Sequence, residues 1–384
     1  GQSGRWRLIP RQHPAPRFAG PDSLTPPETT LVTLNVDPVA LRHDYVARVA
    51  RRYGVIAAVF GLLCLSFLLD ITTGPGNFSL STVAEVLFDP MSHGARLKVI
   101  VWDYRLPVAV TAVLVGALLA VAGAQMQTIL NNPLAEPFTL GVSAAASFGA
   151  SLAIVLGISV IPAVGPLLVT VNAFVFALFT CGFILLATRI KGVGSETMIL
   201  FGIAIFFTFS ALLALMQYMA SEDQIARIVF WMMGSLSRAS WEKIGLGTIL
   251  LCFAIPFSLY RTWPMTALRM GEATAQSMGV DVGRLRVEML ICISLLAATA
   301  VSFVGTVGFV GLVGPHIARI LVGEDQRYFV PLSALVGALV LSLTSLISKT
   351  ITPGIIYPIG IITSLIGVPI FISIILSSRR ERLQ

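Results

Sequence analysis

Long apolar runs are the feature that most limits how this chain can fold. Three of them are "VIAAVFGLLCLSFLLDI" from Val55, "LLVTVNAFVFALFTCGFILLA" from Leu167 and "LSALVGALVLSLTSLIS" from Leu332. A helix of about 20 mostly apolar residues spans the hydrocarbon core of a bilayer. The 384 residues are 56% hydrophobic and only 12% charged, roughly half the charged share of a typical soluble domain. The sequence therefore predicts a polytopic, all-α membrane protein.

The apolar runs predict about ten transmembrane helices. Their centres fall near residues 63, 117, 148, 178, 208, 251, 296, 315, 340 and 368. The segments at 137–157 and 307–322 are rich in Gly and other small residues. Small residues let helices approach closely in lipid, so we expect these two helices to be short or broken.

The first 50 residues differ from the rest of the chain. The stretch "RWRLIPRQHPAPRFAGPDSLTPPETT" is polar and rich in Pro, without an apolar period. Such composition predicts a disordered N-terminal extension at 1–50, followed by the transmembrane domain at 51–384. No cleavable signal peptide is expected, because the first apolar block begins only near Val55.

The distribution of Lys and Arg predicts the orientation in the membrane. With the N-terminus inside, fifteen of these residues fall on inner segments and seven on outer ones, leaving out the distal tail. Lys and Arg accumulate on the cytoplasmic side. Both termini are therefore predicted to be cytoplasmic, which an even number of spans requires.

Several classes of membrane protein are disfavoured by what the apolar segments lack. Ion-driven transporters usually keep ionisable residues near the bilayer midplane. Here Asp70 and Asp103 lie only at span ends, and no other charged residue lies deep in a clear span. No filter-like signature of a channel and no cluster of catalytic residues is visible. The chain also has no P-loop motif, so any ATP-driven transport requires a partner ATPase.

Metal, cofactor and nucleic-acid binding are not expected. The four cysteines lie in separate apolar blocks without metal-ligand spacing. His316 has no second ligand beside it, so we interpret it as a packing residue. The +7 net charge is accounted for by membrane topology, since nucleic-acid binding needs a basic face on a soluble domain.

The stretch "QTILNNPLAEPFTLG" at 127–141 interrupts two apolar segments with Asn, Glu and Pro. Its prolines break a helix and its asparagines favour a cap or turn. Turn chemistry alone is equally compatible with an ordinary connection between helices. We predict a broken-helix junction on the cytoplasmic side, because non-helical backbone at a membrane is tolerated only where protein or water covers it.

This junction is one of several ordered motifs that resemble a known family. The motifs are "RLP" at 105–107, "NPLAEPFTLG" at 132–141, "WMMGSLS" at 231–237, "MGEATAQSMGV" at 270–280, "GTVGFVGLVGPHIAR" at 305–319 and "PIGIITSLIGVPIF" at 358–371. Together they resemble the permease subunit of ABC importers for iron chelates, haem and vitamin B12, the FecCD or cobalamin-permease family. The resemblance runs from about Asp70 to the C-terminus.

The resemblance implies a type II ABC importer permease in the bacterial inner membrane. A homodimer, or a heterodimer with a sister permease, would enclose a central path. Two ATPase subunits would bind ATP and Mg below it, and a substrate-binding protein would dock above. This chain would itself be no enzyme and would bind no cofactor. The ordering of substrates is ferric siderophore first, haem second and cobalamin third.

The resemblance also implies roles for particular residues. The inner loop 261–287 would be the coupling element that rests in the ATPase, and its coupling residues would be Gly271, Glu272, Ala275, Met278 and Gly279. The cytoplasmic end of the path would close near Gly194 and Ser195, and the path would be lined by Ser210, Met216 and Gln217. Motif residues with an architectural role would be Asn132, Pro133, Gly141, Pro315, Pro358 and Gly360.

At the outer face, Arg105 and Lys349 are expected to be exposed and to receive carboxylates of the binding protein. Two positions depart from the family pattern. Val108 stands where many members have Arg, and Ile356 stands where many have Glu. Exposed rim cations often only solvate the surface, so physics alone leaves the docking role open.

Two other functions remain open on the sequence. One is an ion-coupled secondary transporter of a small molecule, which would work without an ATPase. The other is a membrane anchor or sensor that transports nothing. A partner carrying an ATPase P-loop would argue against both.

Overall fold

The computed structural model describes residues 38–74, 76, 78–91, 94–161, 165–188, 195–352 and 354–381. Within these residues the chain is helical and contains no strand. The α-helices are α1 Pro38–Thr72, α2 Leu80–Phe88, α3 Ala95–Lys98, α4 Leu106–Ile129, α5 Val142–Leu156, α6 Leu168–Thr188, α7 Ser195–Met219, α8 Glu222–Met232, α9 Trp241–Tyr260, α10 Thr262–Arg269, α11 Glu272–Ser277, α12 Val282–Val304, α13 Val310–Val322, α14 Gln326–Thr350 and α15 Ile359–Glu381. The predicted all-α class is confirmed.

Seven helices of the described residues are long and apolar enough to cross a bilayer. They are Arg42–Thr72, Ala95–Ile129, Leu168–Leu186, Thr197–Met219, Trp241–Tyr260, Val282–Val304 and Gln326–Thr350. Shorter apolar helices occupy Val142–Leu156, Val310–Val322 and Ile359–Ser373. Each predicted centre falls in one of these segments, but the count of ten crossing helices stays a prediction.

The described residues fall into two units, one ending at Arg48 and the other covering Val49–Gln384. The N-terminal extension was expected to be disordered as far as residue 50. That expectation is wrong for residues 38–50, because α1 already begins at Pro38. Proline is well suited to the first turn of a helix, where its missing N–H costs no hydrogen bond. Residues 1–37 lie outside the described part.

Short polar side chains begin many of the helices. Ser79, Ser221, Ser240, Asp281 and Asp325 each accept a hydrogen bond from a backbone N–H in the first turn that follows. Such caps satisfy donors that have no partner within the helix. A polar capping residue therefore marks the start of each of these helices.

Helix α4 lies at the centre of the second unit. In the apolar stretch of the Ala95–Ile129 span, 83% of the residues are buried, against 28% in that of the Thr197–Met219 span. A π-helical segment, Val99–Arg105, joins α3 to α4 without a break. Gly116 lies against the backbone of Gly337 in α14, and Gly123 against that of Gly311 in α13. Small residues thus let two helices contact α4 at backbone distance.

Gly123→Ala is expected to lower the melting temperature of the detergent-solubilised protein by several degrees. The added methyl group would overlap the carbonyl oxygen of Gly311, and overpacking of this kind costs about 1–3 kcal/mol. The control is Gly182→Ala in α6, where an added methyl group meets no atom within 4 Å. Equal melting temperatures for the two variants would contradict the close approach.

Candidate functional site

The segment 261–287, which the sequence predicts to lie on the inner side, forms α10, α11 and the first turn of α12. The predicted short helix flanked by glycines is α11, which begins after Gly271 and is followed by Gly279. These two glycines have φ of +112° and +84°, a region that side chains other than Gly rarely adopt. The glycines therefore set the angles at which α11 leaves its neighbours.

Two contacts hold α11 against the rest of the chain. Ala275 is fully buried, and the Glu272 carboxylate accepts hydrogen bonds from Arg286 of α12 at 2.8 and 3.3 Å. Met278 is 43% exposed. Of the five predicted coupling residues, Ala275 therefore anchors the helix, while Glu272 and Met278 lie on its accessible side. The contact with an ATPase stays a prediction.

The interruption at 127–141 is present as a compact turn between α4 and α5. Asn131 has a left-handed φ of +47°, and the Oδ1 atom of Asn132 accepts from the N–H of Leu134 at 3.0 Å. A 3-10 helix follows at Pro137–Leu140. At Gly141, φ is +79° and an added Cβ would lie 2.9 Å from the backbone nitrogen of Phe206 in α7. The junction thus ends directly against α7.

Glu136 is the charged residue of this junction. The N–H of Phe309, just before α13, donates to its carboxylate. Its Oε2 atom is buried and has no hydrogen-bond partner among the described residues. Burial disfavours the ionised form and raises the pKa of Glu136 from 4.5 to about 7. The carboxyl group can therefore change its charge near neutral pH.

The stability of the solubilised protein is expected to fall as pH rises toward about 7 because of Glu136. Its pKa is raised in the folded chain, from 4.5 to about 7, so the stability it contributes is full below pH 4.5 and is lost as pH rises through the folded value. Melting temperatures of wild type and Glu136→Gln between pH 5 and 8 measure this. The variant should lose less stability over that range, and parallel curves would contradict the assignment.

A cavity of about 370 Å³, on the side of the chain that the sequence predicts to be outer, is formed by the start of α4, the turn at 234–238, the end of α14 and residues 356–359. Both positions that depart from the family pattern, Val108 and Ile356, line it. The cavity is also lined by two cations, Arg238 and Lys349. Its serines are Ser235, Ser237, Ser345 and Ser348. The structure therefore brings the two apolar departures together in one basic, hydroxyl-lined cavity.

Arg105 was expected to be exposed at the rim, and this is wrong. It is 3% exposed and donates to the carbonyl oxygens of Ile71 at 3.1 Å, Thr72 at 2.9 Å and Gly76 at 2.6 Å. Its guanidinium group lies 4.7 Å from the centre of the Phe78 ring. The carbonyls at a helix C-terminus need donors and favour a cation, so Arg105 caps α1.

Lys349 was also expected to be exposed, and it is buried as well. Its Nζ atom lies 2.8 Å from the Oδ1 atom of Asp70, and the two side chains are 6% and 0% exposed. Ser345 donates to the other carboxylate oxygen of Asp70 at 3.0 Å. The ion pair joins the end of α1 to the end of α14. The sequence contained a signal for this pair, because Asp70 and Lys349 have opposite charges and stand at the same predicted depth in α1 and α14.

Arg238 is the cavity residue that sequence reasoning missed. Its Nη2 atom donates to the carbonyl of Phe230 at 3.2 Å, and its guanidinium group lies 5.8 Å from the centre of the Trp231 ring. The Nη1 atom is buried without a hydrogen-bond partner among the described residues. Burial lowers the pKa of Arg238 below its ordinary value. This cation thus retains unused hydrogen-bonding capacity beside the cavity.

The predicted path residues are only partly accessible. Gly194 lies outside the described residues, and Ser195 begins α7. Met216 is 7% exposed in this chain, and its role in lining the path stays a prediction. Ser210 and Gln217 are half-buried. The exposed face of α7 instead carries large apolar side chains, namely Leu200, Ile203, Phe207, Leu215 and Tyr218.

Three of the sequence motifs meet at backbone distance. The N–H of Ser235 donates to Val304 at 2.7 Å, and the N–H of Gly360 donates to Met233 at 3.0 Å. Gly360 lies against the carbonyl of Met233 with no room for a side chain. Pro358 directly precedes α15, whereas Pro315 lies inside α13. The glycines of these motifs therefore let three backbone segments cross in direct contact, namely 233–236, 304–306 and 358–360.

Among the described residues, no three His, Cys, Asp or Glu side chains are grouped so that they could hold a metal ion.

Comparison with known proteins places these features in a family. The model of the FecCD transport family matches residues 62–377. An ABC transporter permease of Methanocaldococcus jannaschii is 38% identical over 84% of this chain and 94% of its own length. The vitamin B12 import system permease of Vibrio vulnificus is 34% identical over 77% of this chain and 88% of its own. The chain therefore belongs to the FecCD transport family.

A solved structure of similar fold supports the same assignment. It is described as an inward-facing ABC transporter of metal-chelate type, and it is 29% identical with a TM-score of 0.73. The match covers 84% of this chain and 99% of that chain. The protein is accordingly a multi-pass membrane permease of the ABC importer family for metal chelates, haem or vitamin B12.

Proposed function

We propose that this chain is the transport subunit of an ATP-driven importer in the bacterial inner membrane, with ten spans and both termini in the cytoplasm. Membership of the FecCD family over residues 62–377 is the observation that carries the proposal. Two partner ATPase subunits bind ATP and Mg and supply the energy, and this chain binds no cofactor and catalyses no reaction. Nucleotide drives transport only if the two conformations of the permease bind the ATPases differently.

Helix α11 is the contact with the ATPase. It has an accessible side and is fixed to α12 through Glu272 and Arg286 and to the interior through Ala275. A small helix held by a buried residue and an ion pair moves as a unit with its neighbours. Force applied to its exposed side therefore reaches α10 and α12.

The outer cavity is the docking place of the substrate-binding protein. Arg238 makes its lining basic, since Asp70 balances the charge of Lys349, and a carboxylate of the binding protein would be attracted there. Such charges speed encounter and set orientation more than they add affinity. Because Arg105 and Lys349 are already engaged within the chain, Arg238 is the better candidate for direct contact. Val108 and Ile356 give one wall an apolar character.

The translocation path lies beside α7, between this chain and a second permease copy or a sister permease. The apolar exposed face of α7 suits contact with another apolar surface, and Ser195 stands at its inner end. The substrate is a metal chelate, with a ferric siderophore preferred to haem and haem to cobalamin. The solved structure of metal-chelate type supports the class of substrate.

The proposal is tested by co-expressing the chain with its neighbouring genes and reconstituting the complex in liposomes. ATPase activity is measured with the binding protein empty and loaded with ferric siderophore, haem or cobalamin. Stimulation by one loaded form, together with uptake that requires ATP, is expected and identifies the substrate. Uptake that follows an ion gradient and ignores ATP would favour a secondary transporter. Binding without uptake would favour an anchor or sensor.

A further inference from the structure

Arg269, the last residue of α10, connects the coupling segment to two other parts of the chain. Its Nη1 atom donates to the Oδ1 atom of Asn131 at 2.7 Å. Its Nε atom donates to the Oε2 atom of Glu324 at 3.3 Å, and its Nη2 atom pairs with the other oxygen of that carboxylate. The Arg269 side chain is only 14% exposed. A bidentate contact of this kind fixes the orientation of the two side chains as well as their distance.

Glu324 is shared with a second arginine. Arg319 of α13 lies 3.5 Å from the Glu324 carboxylate through its Nε atom and donates from Nη2 to the Oε1 atom of Gln127 at 2.9 Å. Gln127 is buried in the last turn of α4. The end of α10, the turn before α14, α13 and the end of α4 are therefore joined through hydrogen bonds and ion pairs of charged side chains.

The junction from Asn131 to Gly141 is short, and backbone hydrogen bonds hold it to the end of α4 and within itself. The N–H of Asn132 donates to Gln127 at 3.0 Å, and the N–H of Gly141 donates to Phe138 at 3.0 Å. At its far end Gly141 packs against α7, where an added Cβ would lie within 3.1 Å of the Gly202 carbonyl oxygen. A displacement of Asn131 is therefore expected to move Gly141 at the other end of the junction, and Gly141 contacts α7 directly.

We propose that Arg269, Asn131 and Glu324 form a relay, which carries the motion of α10 and α11 through the 131–141 junction to α7. The relay rests on the proposed function, in which α11 meets the ATPase and α7 borders the path. Arg269 stands only two residues before Gly271, so α11 cannot shift far without pulling on it. The contacts are contiguous from end to end, which mechanical coupling through packed elements requires. The polar residues of the junction thus serve to couple the two ends.

The test uses the full reconstituted complex and measures ATP hydrolysed per substrate molecule taken up. Asn131→Gly removes the acceptor of Arg269 and retains the left-handed backbone, because glycine adopts positive φ without strain. Loss of one net hydrogen bond corresponds to roughly a 2- to 10-fold change in an equilibrium. We expect about threefold more ATP hydrolysed per molecule delivered, with an unchanged melting temperature. Asn131→Asp retains an acceptor oxygen and is expected to keep wild-type coupling.

The variant Arg269→Gln serves as a second background, which distinguishes the relay from a general loss of contacts on the proposed inner face. In Arg269→Gln, which disrupts the contact from the other side, adding Asn131→Gly is expected to change the ratio no further. The matched control is Arg327→Gln, which alters an exposed pair with Asp325 on the same turn and is expected to keep the wild-type ratio. The relay would be overturned if Asn131→Gly left the ATP hydrolysed per substrate molecule unchanged. It would also be overturned if Asn131→Gly raised this ratio equally in wild type and in Arg269→Gln. A wild-type chain that never associates with an ATPase would overturn the proposed function itself.

Discussion

Lys349→Met is expected to reduce sharply the amount of folded protein recovered from membranes. The substitution leaves the Asp70 carboxylate, which is fully buried, without the ammonium group 2.8 Å away. Removing one partner of a buried ion pair typically costs about 3–5 kcal/mol, because the remaining charge is left without compensation. The measurement is the monodisperse fraction in detergent and its melting temperature.

The double variant Asp70→Leu with Lys349→Met supplies the control for this result. Replacing both members of a buried pair by apolar residues is often neutral or stabilising, so much of the lost stability should return. Arg284→Met tests an exposed pair, since Arg284 is 74% exposed beside Glu288. Exposed pairs contribute about 0–1 kcal/mol. A double variant no more stable than Lys349→Met would show that the pair is not what holds α1 to α14.

The sequence identified helices where the local signal was strong. Apolar runs placed the long helices, and Gly271 and Gly279 bounded α11, because each rests on chemistry that acts over a few residues. The junction at 131–141 was identified in the same way from its Asn and Pro residues. These features needed no knowledge of which helix packs on which.

Apart from the early start of α1, what the sequence did not predict depends on tertiary contacts. Arg105 and Lys349 stand at span ends and were expected to reach water, whereas a helix C-terminus and Asp70 hold them inside. Met216 is covered by the rest of the chain, and no periodicity along α7 shows which side is covered. Residues 38–50 are helical because α1 extends before its apolar part, and apolarity alone marks only the portion within lipid.

Glu272→Arg is expected to lower the ATPase stimulation by the loaded binding protein about tenfold or more. The substitution reverses the charge that faces Arg286 at 2.8 Å. Attraction is replaced by repulsion, and a change of about 1.4 kcal/mol already corresponds to tenfold in an equilibrium. Helix α11 has six residues and too few internal bonds to hold its position alone. The measurement is ATPase activity in liposomes with and without the loaded binding protein.

The charge-reversed pair, Glu272→Arg with Arg286→Glu, distinguishes position from direct contact. If Glu272 acts by holding α11 in place, the reversed pair should restore a large part of the stimulation, since the attraction between α11 and α12 returns. Glu222→Arg makes the same charge change on α8, where Glu222 is exposed, and should leave stimulation unchanged. Full stimulation in Glu272→Arg, with the ATPase still bound, would mean that force enters the permease elsewhere. The exposed side of α11 that carries Met278 would then not be the coupling surface.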